Sequence, residues 1–196
     1  MWSGVPEDGL FVMRRLFLVR HCASTGQEPS ASLTPVGQAQ AIRLADHLEP
    51  LGVELLVSSP YTRAQQSIAP LAQRLSLPVE IDPRLAERVL SATPVEHWRE
   101  AIRQTFEDLD LAWPGGESSH AAMARGREAI DALLARPVRV LVVMTHGNLM
   151  TLLLRSFETQ FGFHTWEHLS NPDVYYIKIG VEHVRVTRTW VPLVSP

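Results

Sequence analysis

The sequence predicts an α/β fold: a three-layer α/β/α sandwich around a mostly parallel sheet that ends in an antiparallel C-terminal edge hairpin. Short apolar runs, which are typical of strands buried on both faces, alternate with stretches whose apolar residues recur at helical spacing. The early β-α-β-α-β order favours parallel strands joined by helical crossovers. The chain has 196 residues, of which 45% are hydrophobic, so we expect a single domain over residues 13–196.

The first half of the chain predicts three strands, at 16–20, 55–57 and 79–81. Thr34 followed by Pro35 predicts a helix start, because threonine caps helices and proline suits the first helical position. Gly52 marks the end of that helix. Residues 58–63 open a second helix, in which Pro70 predicts a kink or a break.

The second half predicts a small helical insertion, a long helix, the strongest strand of the sequence and the edge hairpin. The insertion is expected at about 82–116, with a helix at 94–111 inside it. The later elements are a helix at 117–135, a strand at 138–144, a helix at 149–157 and hairpin arms at 174–179 and 184–191. Residues 1–12 do not have the pattern of a secretory signal, so we expect a flexible extension or a natural start at Met13.

Composition excludes several classes of function. The net charge of -3 gives no global basic field, so we expect neither a nucleic acid nor a membrane surface as partner. No apolar run approaches the roughly 20 residues of a membrane helix. Cys22 is the single cysteine, which excludes an internal disulfide and favours a cytoplasmic location. Nothing in the sequence predicts the oligomeric state.

Polar residues suited to binding an anion follow three of the predicted strands. Arg20 and His21 lie at the end of the first strand, Arg63 comes shortly after the second, and His146 with Gly147 follows the strongest strand. The carboxyl ends of strands in such a sheet meet in one crevice. Two arginines and two histidines there would repel one another without an anion, and a phosphoryl group suits guanidinium groups best. The glycine allows a close approach of the backbone.

Six linked segments between about residues 15 and 171 resemble the histidine phosphatase superfamily, the phosphoglycerate-mutase-like fold. They are 20–27, 33–41, 58–64, 85–88, 114–118 and 143–147. The first segment is similar to the family's Arg-His-Gly-Glu-Thr/Ser-x-x-Asn motif, and it is present here as Arg-His-Cys-Ala-Ser-Thr-Gly-Gln. Such blocks in order are a specific signal, whereas a lone Arg-His pair is not.

The resemblance implies covalent catalysis by His21, which would attack the substrate phosphorus and become phosphohistidine before water hydrolyses it. Arg20, Arg63 and His146 would hold the phosphoryl oxygens. Glu87 would protonate the leaving oxygen and later help to activate water. The family resemblance implies no metal and no organic cofactor.

Three further residues are candidates for phosphate binding, and they are Ser24, Gln27 and Gly147. The first motif departs from the family at Cys22 and Ala23, where glycine and glutamate are usual, and at Gln27, where asparagine is usual. We interpret Cys22 as a small residue packed beside the strand end, not as a thiol nucleophile. The segment His164-Thr-Trp-Glu-His168 matches a zinc-peptidase pattern, but Gly162 and Pro172 leave little room for the helix that this pattern needs.

The sequence therefore predicts a phosphatase of small phosphorylated metabolites. The insertion lacks the Arg-Arg-Ser-Tyr-type substrate segment of the glycolytic mutases, which favours release of inorganic phosphate. Two alternatives stay open: a cofactor-dependent phosphoglycerate mutase and a weakly active protein that binds phosphorylated ligands. The pocket walls are expected from residues 89–116 and 160–172, where Trp98 and Trp166 are candidates.

Overall fold

The computed structural model describes residues 13–180 and 183–191, and it confirms the predicted α/β sandwich. The predicted flexible extension at 1–12 lies outside the described residues. The strands are β1 (Arg14–Arg20), β2 (Leu55–Ser58), β3 (Val79–Ile81), β4 (Val140–Thr145), β5 (Asp173–Ile179) and β6 (Val184–Arg188). The helices are α1 (Pro35–Leu48), α2 (Thr62–Leu75), α3 (Trp98–Glu107), α4 (Ser119–Leu134), α5 (Gly147–Phe157) and α6 (Phe163–Glu167). Short 3-10 turns lie at Glu49–Leu51 and Pro83–Leu85.

The six strands form one sheet in the order β3-β2-β4-β1-β5-β6. Strands β1 to β4 pair in parallel, whereas β5 pairs antiparallel with β1 and β6 antiparallel with β5, as the hairpin prediction requires. The central strand β1 shows why there are three layers. Leu16 and Leu18 pack into one hydrophobic cluster, and Phe17 and Val19 pack into the other on the opposite face of the sheet.

Helix α1 begins as predicted, because the Thr34 hydroxyl accepts a hydrogen bond from the Gly37 N–H at 3.0 Å. Gly52 has a φ of 70° where the chain leaves the following 3-10 turn, a conformation that glycine adopts without steric cost. Of the kink or break predicted at Pro70, the break is wrong, since α2 runs through this residue, and the kink stays a prediction. Buried Ile68 and Leu71 flank the proline and keep the helix packed on the sheet, so packing outweighs the lost hydrogen bond.

The insertion is less helical than predicted. Its helix, α3, covers only Trp98–Glu107, because its buried face is confined to residues within that range. The buried residues are Ala101, Ile102, Thr105 and Phe106. Helix α6 was not predicted, since five residues are too few to show a helical period. Within 13–180 and 183–191, no helix has the length and apolarity that crossing a membrane requires.

Candidate active site

The three strand ends converge as predicted. Arg20 is the register partner of Thr145 in the parallel pair of β1 and β4, and Ser58 is the partner of Met144. His21 and His146 are the next residues after β1 and β4, and their ring centroids lie 5.1 Å apart. The sheet thus places the side chains of two histidines and the start of α2 at one edge.

The tautomer of His21 is fixed by its backbone neighbour. His21 Nδ1 lies 2.7 Å from the carbonyl oxygen of Cys22, and because a carbonyl only accepts, Nδ1 carries the proton. The lone pair is therefore on Nε2, where Arg63 Nε–H donates to it at 3.2 Å. Asn171 Nδ2 donates to the His21 carbonyl at 2.8 Å and fixes the backbone. The arrangement presents Nε2 as the nucleophilic atom of a neutral imidazole.

Electrostatics favour the same neutral form. The pKa of His21 is lowered to about 3, mainly by burial and in smaller part by the positive charges of Arg63 and Arg20, while the hydrogen bond to the Cys22 carbonyl acts in the opposite direction. The pKa of His146 is lowered well below its ordinary value, mainly by burial and then by His21 and the two arginines. Both rings are therefore uncharged at neutral pH.

Arg63 ties the nucleophile to the loop after β1. Its side chain is 1% exposed, and its Nη1 donates to the carbonyls of Gln27 and Glu28 at 3.0 and 2.8 Å. The guanidinium carbon also lies 4.9 Å from the ring centroid of Tyr61. Arg63 is thus preorganised beside His21 Nε2, the unprotonated nitrogen of the ring.

His146 lies behind His21 with one ring nitrogen bonded and one free. Its Nε2 is 2.7 Å from the Ser59 hydroxyl, in a contact where either group can donate. Its Nδ1 is buried without a partner among the described residues. A buried polar atom without a partner is unfavourable, so a ligand oxygen near Nδ1 would restore a hydrogen bond.

Arg20 closes the other side of the site. Its Nη1 donates to the Leu169 carbonyl at 3.0 Å, and its Nε is buried without a partner in the described part of the chain. Gly147 packs against this guanidinium, because a Cβ at position 147 would lie 3.1 Å from Arg20 Nε. Glycine at this position leaves room for the Arg20 guanidinium, and the predicted close approach of its backbone to a phosphate stays a prediction.

Glu87 caps helix α5. Its Oε1 accepts backbone N–H bonds from Arg88 and Leu149, each at 2.9 Å, and its Oε2 accepts one from Asn148 at 3.0 Å. Oε2 therefore keeps more free hydrogen-bonding capacity than Oε1.

A cavity of about 460 Å³ opens onto these groups. At its inner end the lining includes Arg20, His21, Gln27, Glu87 and Gly147, all predicted site residues. The side chains of Arg63 and His146 lie behind His21, each 1% exposed, and they do not line the cavity.

Ser24 also lies outside the cavity lining, because its hydroxyl donates to the Gly26 carbonyl at 3.0 Å within the loop. The structure thus brings together seven of the eight predicted residues, five in the lining and two behind it. The loop contact accounts for Ser24 without a phosphate.

Sequence reasoning missed three polar groups at the site: Asn148, Arg88 and Asn171. Asn148 and Arg88 line the cavity, and the Asn148 Oδ1 is buried without a partner among the described residues, so it is available to a hydroxyl or water. Arg88 and Asn148 directly follow Glu87 and Gly147, which was the available signal. Asn171, distant in sequence, gave none.

Cys22 and Ala23, which replace the family's usual glycine and glutamate, are accommodated by contacts within the fold. The Cys22 side chain is 0% exposed in the core, so it is packed beside the strand end as predicted, and burial raises the pKa of its thiol to about 11. The Ala23 N–H donates to Gln40 Oε1 at 2.8 Å, and its carbonyl accepts from Thr34 N–H at 3.0 Å. The loop is therefore anchored through backbone groups that do not depend on the family's usual side chains.

The zinc-peptidase pattern lies elsewhere. His164, Glu167 and His168 are exposed, with ligand atoms within 4.8 Å of one another. His168 follows the end of the five-residue α6, and Glu167 forms an ion pair with Arg99. The cavity next to His21 does not include these three residues in its lining.

The buried neutral histidines predict loss of stability in acid. Between pH 6.5 and about 3, unfolded His21 binds a proton that the folded residue excludes, so the free energy of unfolding falls as pH falls through this window. Each such histidine contributes a slope of about 1.4 kcal/mol per pH unit. Urea unfolding at several pH values should show that the free energy of unfolding of His21→Gln depends less steeply on pH than that of wild type, by about one proton. An equal slope in wild type and His21→Gln would contradict the neutral, buried state of His21.

A family model described as histidine phosphatase superfamily (branch 1) matches residues 16–190. Among curated relatives, the chain is 30% identical to a probable phosphoglycerate mutase GpmB of Erwinia tasmaniensis over 162 residues, 72% of this chain and 74% of that protein. It is 29% identical to a glucosyl-3-phosphoglycerate phosphatase of Mycobacterium tuberculosis, over 71% of this chain and 73% of that protein.

A solved structure shares the fold. The structure described as mycobacterial hydrolase 1 superposes with a TM-score of 0.75 at 26% identity, and the match covers 91% of this chain and 97% of the other. The likeness therefore extends over the sheet and the helices on both of its faces.

Proposed function

Since the chain belongs to the histidine phosphatase superfamily, branch 1, we propose that it is a phosphomonoesterase that hydrolyses small phosphorylated metabolites. In this proposal the reaction proceeds through a phosphohistidine on His21. The relatives of the chain named above, a phosphatase and a probable mutase, support this class of activity. The observation that carries the proposal is the state of His21: a neutral ring with its Nε2 lone pair fixed beside Arg63 and its side chain lining a cavity. Such a group is a nucleophile without any prior loss of a proton.

In the first step, His21 Nε2 attacks phosphorus while the bond to the leaving oxygen breaks. Arg63 Nε–H must then turn from Nε2 to a phosphoryl oxygen, since the Nε2 lone pair forms the new bond. The unpartnered Arg20 Nε and His146 Nδ1 are the further donors we assign to the phosphoryl oxygens, with His146 in the tautomer whose Nε2 accepts a hydrogen bond from the Ser59 hydroxyl. The positive charges of Arg63 and Arg20 and the N–H dipole of His146 stabilise the negative charge that spreads over these oxygens in the transition state.

In this proposal Glu87 supplies a proton in the first step and recovers one in the second. Its Oε2 gives a proton to the leaving oxygen in the first step, so that an alcohol departs. In the second step the carboxylate takes a proton from water as the water oxygen attacks phosphorus and the P–N bond breaks. His21 returns to its neutral form and inorganic phosphate leaves. The backbone N–H of Asn148 donates to Glu87 Oε2, and the Oδ1 of the same residue can accept a hydrogen bond from that water.

The relative named as a probable mutase supports one second candidate, the phosphoglycerate mutase reaction. Incubation with 3-phosphoglycerate distinguishes the two. We expect any turnover to give glycerate and inorganic phosphate, because water completes the reaction. Formation of 2-phosphoglycerate without phosphate release would overturn the phosphatase proposal.

The general test is a panel of phosphorylated metabolites with a phosphate readout, run on wild type and on His21→Ala. We expect phosphate release from several esters by wild type only. The absence of release from every ester, or equal release by the variant, would contradict the proposed function.

A further inference from the structure

We propose that the outer half of the cavity is a binding site for a flat aromatic ring, so that the preferred substrates are phosphomonoesters whose leaving group carries such a ring. The proposal rests on the phosphatase function proposed above and specifies its substrate class. It follows from the residues that line the cavity beyond the phosphate end, from their spacing and from the charges available there.

The outer walls are apolar, and one of them is unusually exposed. They consist of Leu90, Trp98, Ile102 and Trp166. Trp98 leaves 54% of its surface exposed although it is one of the largest apolar side chains. An apolar wall that is not fully covered, at the mouth of a catalytic cavity, is typical of a ligand site.

The two tryptophans form a corner that suits a ring. Their centroids lie 6.0 Å apart with an interplanar angle of 83°, and Phe163 supports Trp166 from behind at 5.5 Å. A flat group against one indole face meets the edge of the other indole, and both are favoured arrangements of aromatic pairs.

An ion pair joins the two helices that carry the indoles. Arg99 follows Trp98 at the start of α3, Glu167 follows Trp166 in α6, and the two side chains pair outside the cavity lining. The pair thus connects the insertion to the segment before β5, next to the two indoles. We therefore assign Arg99 and Glu167 a positioning role.

Charge argues against a leaving group with a second anion. Within 13–180 and 183–191, the cavity is lined by two arginines, and Arg20 is at the phosphate end. Arg88 donates through its two terminal nitrogens to the Ser119 and Thr105 hydroxyls, away from the cavity. Beyond Arg20, the arginine nitrogen that the described lining leaves without a partner is the buried Nε of Arg88. A carboxylate or second phosphate among the apolar walls would therefore lose water and gain at most this one guanidinium N–H. The site thus favours rings over phosphoglycerate-like leaving groups.

The test compares esters of equal chemical reactivity. 2-(2-Naphthyl)ethyl phosphate and ethyl phosphate are both primary alkyl esters, so their chemistry is similar and only the ring differs. We expect wild type to show at least about tenfold higher kcat/KM for the naphthyl ester, mainly through KM, because ring binding is similar in ground and transition states. 3-Phosphoglycerate should be a poorer substrate than the naphthyl ester.

Variants assign the effect to the corner. Trp166→Ala and Trp98→Ala should each lower the preference for the naphthyl ester by about tenfold and leave ethyl phosphate within about twofold. Trp166→Phe should retain most of the preference. The matched control is Trp113→Ala, a half-buried tryptophan of the same insertion that does not line the cavity. Equal kcat/KM for the two esters, or a preference that survives both alanine variants, would overturn the proposal.

A binding measurement separates this proposal from the phosphatase function. 2-(2-Naphthyl)ethylphosphonate and ethylphosphonate cannot be hydrolysed, and calorimetry gives their affinities whether or not the protein is active. Tighter binding of the naphthyl compound that is lost in Trp166→Ala would support the ring site even if no ester is hydrolysed. Equal binding of both compounds would overturn it even if hydrolysis is rapid.

Discussion

Replacing His21 with alanine should lower kcat for every phosphomonoester by a factor on the order of 10⁴. The imidazole supplies the Nε2 that we propose forms the P–N bond, and Arg63 and His146, which lie nearest to it, do not replace a nucleophile. Steady-state phosphate release from 4-nitrophenyl phosphate measures the loss. Rapid quench into alkali, which preserves phosphohistidine, should detect a phosphoenzyme in wild type and none in the variant.

The variant must stay folded for this comparison to count. His21→Ala leaves the Cys22 carbonyl and Arg63 Nε without the ring, which costs about 1–3 kcal/mol of stability. Circular dichroism and the melting temperature check this, and His120→Ala is the control at an exposed histidine. Residual activity of more than about a hundredth of wild type, in a folded variant, would remove His21 from the nucleophile role.

The sheet could be predicted because its signals are local. The apolar run of β1 buries both faces, so four consecutive apolar residues were enough to indicate a central strand. The strand ends then followed from topology, since parallel neighbours end at one edge. The proximity of Arg20, His21 and His146 therefore needed no knowledge of loops.

The finer geometry depends on contacts between distant segments, which one sequence does not reveal. The sequence predicted the last long helix from residue 149, whereas α5 begins at Gly147. The earlier start of α5 matters, because it places the N–H groups of Asn148 and Leu149 in the first turn, where they donate to the Glu87 carboxylate from 61 and 62 positions away in the sequence. The walls of the cavity were predicted to come from 89–116 and 160–172, and Trp98 and Trp166 do line it. Their approach to one another, and the ion pair between the residues that follow them, are contacts between distant segments that no local pattern indicates.

Replacing Glu87 with glutamine should lower catalytic activity most for esters whose leaving oxygen must be protonated as it departs. With ethyl phosphate, a poor leaving group, we expect kcat/KM to fall on the order of 10²- to 10⁴-fold, the usual contribution of a general acid. With 4-nitrophenyl phosphate the departing oxygen needs little protonation, and the loss of kcat/KM should be less than about tenfold. The parameter kcat/KM is suitable because it reports the steps up to formation of the phosphoenzyme.

The comparison of two esters within one variant controls for structural damage. In wild type the Asn148 N–H donates a hydrogen bond to Glu87 Oε2, and in Glu87→Gln the amide nitrogen at that position cannot accept it. Some loss of stability is therefore expected, and such structural damage would lower the turnover of both esters equally. The second step gives an independent signature, since the same carboxylate is proposed to activate water. With 4-nitrophenyl phosphate the variant should release a burst of nitrophenol and accumulate phosphohistidine, because phosphorylation becomes faster than hydrolysis of the intermediate. Equal losses on the two esters without a burst would show that Glu87 only caps α5, and the proton would then have to come from another group.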